Sequence, residues 1–104
     1  MPGDQMPDPI YIEVLTSPNC VHSPKAMRVA RMAVMRSGDA IILREVSIAS
    51  AEGADRAEAL RVEATPAIMI NGAIAYVGVP TLGALRRMVS ETVAKEKERN
   101  SYFF

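Results

Sequence analysis

Ile10-Tyr11-Ile12-Glu13-Val14-Leu15-Thr16-Ser17-Pro18-Asn19-Cys20-Val21-His22-Ser23-Pro24 runs from a β pattern, through the only cysteine of the chain, to a helix start. Its first six residues are rich in β-branched and aromatic side chains and nearly all apolar, which predicts a strand covered on both faces. Ser23 is placed to cap a helix, and Pro24 suits a first helical turn, where a missing N–H costs nothing. Cys20 therefore falls between a strand and a helix N-terminus. The amides and partial positive charge of such a terminus favour the thiolate, which is the nucleophilic form of the side chain. The competing reading is an inert buried thiol, because free cysteine is among the most buried residue types.

Downstream, the pattern supplies the remaining elements. The helix is predicted from Ser23 to about Ser37, stopping at Gly38, with Met27, Ala30 and Val34 repeating at helical spacing. Lys25, Arg28, Arg31 and Arg36 occupy its other faces with no acidic residue among them. They form either a solvated surface or a basic flank able to hold a thiolate or an anionic thiol near Cys20. Residues 40–47 read as a second strand and residues 51–63 as a helix capped by Ser50, its stripe Ala54, Ala57 and Leu60 weakened by Gly53. Asn71-Gly72 between the apolar runs 67–70 and 73–77 predicts a tight hairpin, since both residues tolerate the positive φ of a type I′ turn. Thr81 caps a last helix with Leu82, Leu85, Val89 and Val93 in a stripe. The closing KEKERNSYFF loses that stripe and predicts fraying.

The order β-α-β-α-β-β-α predicts an α/β fold: a four-stranded mixed sheet covered by helices, with a right-handed crossover after the first strand. The division expected is a loose lead over residues 1–9, one domain over 10–98 and a tail over 99–104. A chain of 104 residues is long enough for one domain with its own core. Lys plus Arg and Asp plus Glu balance at 12 each, so no global field points to nucleic acid or an anionic membrane. One cysteine forms no internal disulfide, and the N-terminal MPGDQMPDPI has neither the basic nor the apolar region of a secretory signal. A reducing cytoplasm is the compartment these features predict.

Three stretches then carry a resemblance: TSPNCVHSP, EATPAIMING and YVGVPT, in that order. The chain resembles the thioredoxin and glutaredoxin superfamily, and more narrowly the small thioredoxin-like or glutaredoxin-like redoxins of archaea, whose active-site stretch looks like T-S-P-x-C-P-H-C-P. The likeness runs from about Ile10 to Val93. It implies a thioredoxin-like fold, Cys20 as the attacking thiol, and Pro66 as a cis-proline facing it. It also implies that the backbone of Thr65 pairs with an extended substrate segment, with Val21 and His22 beside it. An ordinary proline opening a strand is the alternative for Thr65-Pro66.

Two departures from the family pattern limit the chemistry. Ser23 stands where the family has a second cysteine, giving C-x-x-S, and Val21 stands for a proline. In the dithiol mechanism a first thiolate attacks a substrate disulfide and a second sulfur resolves the mixed disulfide. Serine performs no such second step, although its hydroxyl can hydrogen-bond the Cys20 thiolate. Ser23 is either native or an engineered replacement of the resolving cysteine. His22 either tunes the thiolate or serves as an exposed spacer.

The resulting expectation is an enzyme, a thiol-disulfide oxidoreductase acting through Cys20 and Ser23 without a cofactor. Its partners would be a disulfide-containing protein or small-thiol substrate and an external thiol or reductase, with the chain a monomer or a disulfide-linked dimer. The alternatives are a non-catalytic peptide-binding module of thioredoxin fold and, below it, a monothiol iron–sulfur cluster carrier. Zinc is disfavoured because Cys20 and His22 supply two ligands where a closed site needs four. The cluster reading is weakened by the absence of C-G-F-S and of paired glycines after the hairpin, which also puts glutathione binding in doubt.

Overall fold

The structure, a computed structural model, describes residues 8–101. The expected lead and tail lie outside the described residues at positions 1–7 and 102–104. The elements are β1 (Ile10–Thr16), α1 (Ser23–Val34), β2 (Ile41–Ser47), α2 (Ala51–Leu60), β3 (Ala67–Ile70), β4 (Ala73–Val77) and α3 (Leu82–Ser101), with a single 3-10 turn at Gly38–Ala40 ahead of β2. The strands form one mixed sheet in the order β2-β1-β3-β4. β1 lies parallel to β2 and antiparallel to β3, and β4 runs antiparallel to β3 at an edge. No helix among the described residues is long and apolar enough to cross a membrane.

The alternation of β1 divides the core in two. Ile10, Ile12 and Val14 face α1 and α3, where they pack with Met27, Ala30, Ile68, Leu85 and Val89. Leu15 faces the other side and joins Val46, Ala67 and Met69 under Ala57 and Leu60 of α2. Glu13 shares that second face. A carboxylate on a central strand is tolerable only when paired, and Glu13 is bonded to Arg56 and, at 3.4 Å, to Arg44. Glu52 completes the cluster by bridging the same two arginines. Beside it, the Arg44 guanidinium holds the Glu52 carboxyl below its ordinary range, chiefly through their hydrogen bond.

Local chemistry fixes the connections. Asn71 and Gly72 have φ of 51° and 84°, the two positive values a type I′ hairpin requires. The Asn71 side chain also accepts from Tyr11 N–H at 2.9 Å, tying the turn to β1. Opposite Ile68 and Met69 the pairing jumps from Tyr76 to Ile74, so Ala75 is the extra residue of a bulge. Ser50 and Thr81 accept from the N–H groups of Gly53 and Ala84 at 3.0 Å each, as N-caps do.

The structure departs from the sequence reading in four places. α1 stops at Val34, and Ser37 precedes the 3-10 turn. α2 stops at Leu60 because Arg61, at φ 56°, turns left-handed and its N–H closes on Ala57 and Glu58. α3 continues to Ser101 through the polar run where the lost stripe predicts fraying. Ser23 is not the cap of α1: His22 holds that position without a side-chain bond, and Ser23 is the first helical residue.

Gly53, which weakens the helix pattern in the sequence, is required by packing. A Cβ at Gly53 would lie 1.8 Å from the Ser47 carbonyl oxygen. Gly83 in α3 meets nothing within 4 Å. The two glycines should therefore respond oppositely to alanine. Gly53→Ala should destabilise the fold by about 1–3 kcal/mol through overpacking, and Gly83→Ala should stabilise it by about 0.4–1 kcal/mol through helix propensity and a less flexible unfolded chain. Urea-unfolding midpoints check both signs.

Candidate active site

The end of β1 delivers the loop 17–22 to the first turn of α1. Two backbone bonds fold that loop around the thiol: Cys20 N–H donates to the Ser17 carbonyl at 3.1 Å, and Ser23 N–H donates to the Cys20 carbonyl at 3.3 Å. Cys20 is partly exposed and is the free cysteine of the chain. Across the site the Thr65–Pro66 peptide bond is cis. The Cys20 thiol donates to the Thr65 carbonyl oxygen at 3.3 Å.

Ser23 is released from capping because its hydroxyl is used elsewhere. Its Oγ is buried and accepts from the Ser17 N–H at 3.2 Å. A hydroxyl has one hydrogen and two lone pairs, so this bond leaves the hydrogen available to the sulfur of Cys20. That interaction is the largest cause of a Cys20 pKa lowered from 9.0 to about 7. A bond from the Thr65 side chain is the second cause, and the backbone N–H groups of His22 and Ser23 add to it against an opposing contribution from burial. The Thr65 carbonyl acts in the other direction, since it accepts a proton that only the neutral thiol carries. On ionisation the sulfur stops donating to the Thr65 carbonyl and instead accepts from the Ser23 and Thr65 hydroxyls.

The structure thus brings Cys20, Ser23, Thr65 and Pro66 together. Pro66 is fully buried, so it shapes the site without offering surface. Val21 is 80% exposed and His22 is also exposed. His22 contributes its backbone N–H to the thiolate. Ser17 was missed by sequence reasoning, because its amide and carbonyl act, and neither leaves a mark in side-chain spacing.

A groove of about 340 Å³ opens beside the thiol, lined by Ser17, Cys20, Ser23, Arg28, Arg31 and Glu45 among others. Glu45 accepts from the Thr16 hydroxyl at 2.9 Å. A larger hollow of about 710 Å³ lies by Glu13, Arg44 and Arg56, away from Cys20. Its arginines are paired with carboxylates, whereas the thiol lines the smaller groove. Among the described residues no three His, Cys, Asp or Glu side chains cluster as metal ligands.

Residues 10–90 match the model of the thioredoxin domain. The chain belongs to the thioredoxin domain family. Among its thioredoxin relatives, one from Methanocaldococcus jannaschii is 34% identical over 73% of this chain and 87% of its own length. A probable thioredoxin from Methanothermobacter thermautotrophicus is 34% identical over 79% of this chain and 94% of its own. Chloroplastic thioredoxin z shares the fold at a TM-score of 0.70 and 15% identity, over 84% of this chain and 80% of that one. A protein disulfide oxidoreductase from Aeropyrum pernix superposes at a TM-score of 0.66 with 32% identity, over 78% of this chain but 36% of that chain. Three residues after Cys20 this chain carries the hydroxyl of Ser23.

The origin of the lowered pKa is testable. Ser23→Ala removes its largest cause and should raise the Cys20 pKa toward the free-thiol value near 8.5. The alkylation rate with iodoacetamide, followed against pH, should rise through about pH 7 in the parent chain and at higher pH in the variant.

Proposed function

We infer that the chain carries out thiol–disulfide exchange, with Cys20 as the attacking thiolate and Ser23 and Thr65 holding it ionised. The observation that carries this reading is the placement of the Cys20 thiol ahead of the first turn of α1, 3.3 Å from the Thr65 carbonyl beside the cis Pro66 bond, with its pKa drawn down to about 7. A thiolate present at neutral pH, with a pKa near the ambient value, is close to the optimum for attack on a disulfide. Membership of the thioredoxin domain family supports the same reaction class.

In the first step the Cys20 thiolate attacks one sulfur of a substrate disulfide. A new S–S bond joins Cys20 to that sulfur, the substrate S–S bond breaks, and its other sulfur leaves as a thiolate. Exposed Val21 and His22 and the backbone of Thr65, set by Pro66, form the face that meets the substrate. The Ser23 hydroxyl has no electron pair of thiolate reactivity to offer the mixed disulfide. Release therefore uses an external thiol or a reductase. The working compartment is a reducing one, in which such thiols are abundant.

The test is capture of a peptide disulfide at neutral pH, read by mass spectrometry. A Cys20 mixed disulfide should accumulate, Cys20→Ser should abolish it, and Ser23→Cys should confer dithiol turnover in dithiothreitol-coupled insulin reduction. Partner binding that survives both Cys20→Ser and reducing agent would favour a non-catalytic binding module instead.

A further inference from the structure

Lys25, Arg28 and Arg31 lie on α1 and Arg36 just beyond its end, and the fold separates these four cations into two pairs. Arg28 and Arg31, one turn apart on the helix, line the groove that holds Cys20, whereas Lys25 and Arg36 do not. Neither groove arginine has a salt-bridge or hydrogen-bond partner among the described residues, in contrast to Arg44 and Arg56 on the far face. The facing charge is Glu45, whose Oε2 already accepts from Thr16. With Cys20 ionised, the two cations are balanced by the sulfur and Glu45. Once Cys20 is locked in a mixed disulfide its negative charge is gone, and the groove becomes net positive. The attraction for an anion is thus greatest at the step for which the chain lacks its own sulfur.

We propose that this groove is the docking site of the thiol that releases Cys20, and that it selects a small thiol bearing a carboxylate, held by Arg28 and Arg31. This rests on Cys20 acting as the attacking thiolate and names the co-substrate of that site. The carboxylate is fixed by the paired guanidiniums, whose planar donors match its two oxygens. The thiolate of the same small molecule then attacks the mixed disulfide at Cys20, expels the substrate as a thiolate and leaves the small thiol joined to Cys20. A second small thiolate attacks that adduct at the small molecule's sulfur, forming its symmetrical disulfide and expelling the Cys20 thiolate. Two small thiols are oxidised to one disulfide while one substrate disulfide is reduced to two thiols, so electrons and protons balance.

The experiment loads Cys20 with a neutral 2-thiopyridyl group from 2,2′-dithiodipyridine, then follows thiopyridone release by 3-mercaptopropionate and by 2-mercaptoethanol at equal thiolate concentration. The ratio of the two rates isolates the carboxylate, and comparing it between variants cancels intrinsic reactivity. Arg28→Gln/Arg31→Gln should lower the ratio roughly two- to fivefold, the range for exposed charge pairs, and added salt should lower the parent's ratio in the same direction. Lys25→Gln/Arg36→Gln should leave it unchanged. An unchanged ratio in the groove variant, or an equal fall in the control variant, overturns the assignment. Loading that is no faster at pH 7 than for an ordinary thiol would instead overturn the underlying role of Cys20. Fast loading with an unchanged ratio removes the groove assignment alone.

Discussion

The active end of the molecule depends on the pairing register of β1. This strand is bonded on both sides, to β2 in parallel and to β3 antiparallel, and Leu15 stands opposite Ala67, the residue after Pro66. That register brings the loop after β1 up against Thr65, so that the Cys20 sulfur reaches its carbonyl. A one-residue slip would turn Ile12 and Val14 out of the core between sheet and α1, and Glu13 into it. The buried apolar side chains therefore hold a polar contact at the far end of the strand in place. Glu13 adds to the cost of a slip, because its partners Arg44 and Arg56 lie only on the α2 face.

From that constraint the chemistry follows in short steps. The strand end fixes Ser17, Ser17 fixes the Ser23 hydroxyl, and the hydroxyl with Thr65 stabilises the thiolate. In the proposed exchange, Ser23 thus supports the first half of the reaction at the position from which a cysteine would perform the second half. In the proposed exchange, Arg28 and Arg31, which have no ion-pair partner among the described residues, give an incoming thiol a place to dock beside the same sulfur. On the proposed reading, capture is built from the chain's own groups and release is supplied from outside.

Much of this fold is legible in the sequence because its signals are local. Asn71-Gly72 marks the hairpin by the φ values those residues accept, and Ser50 and Thr81 mark helix starts by side chains that bond within one turn. The position of Cys20 between strand and helix is equally local. What escapes the sequence depends on distant neighbours. Ser23 has the composition of a cap, yet its hydroxyl turns to Ser17. Gly53 looks like a helix defect until the Ser47 carbonyl is seen beside it. That Arg28 and Arg31 share a groove with Cys20 and Glu45, whereas Lys25 and Arg36 do not, depends on how β1 and β2 pack beside α1, which helix periodicity does not contain.

The account's central claim is that the folded chain, and not the cysteine's neighbours in sequence, makes the thiolate. Ultraviolet titration of the Cys20 thiolate, in native chain and in chain unfolded by urea, tests this most directly. The account predicts a midpoint of about 7 in the native protein and one near 8.5 after unfolding, the value of a free thiol. Coincident midpoints in the two states would contradict it.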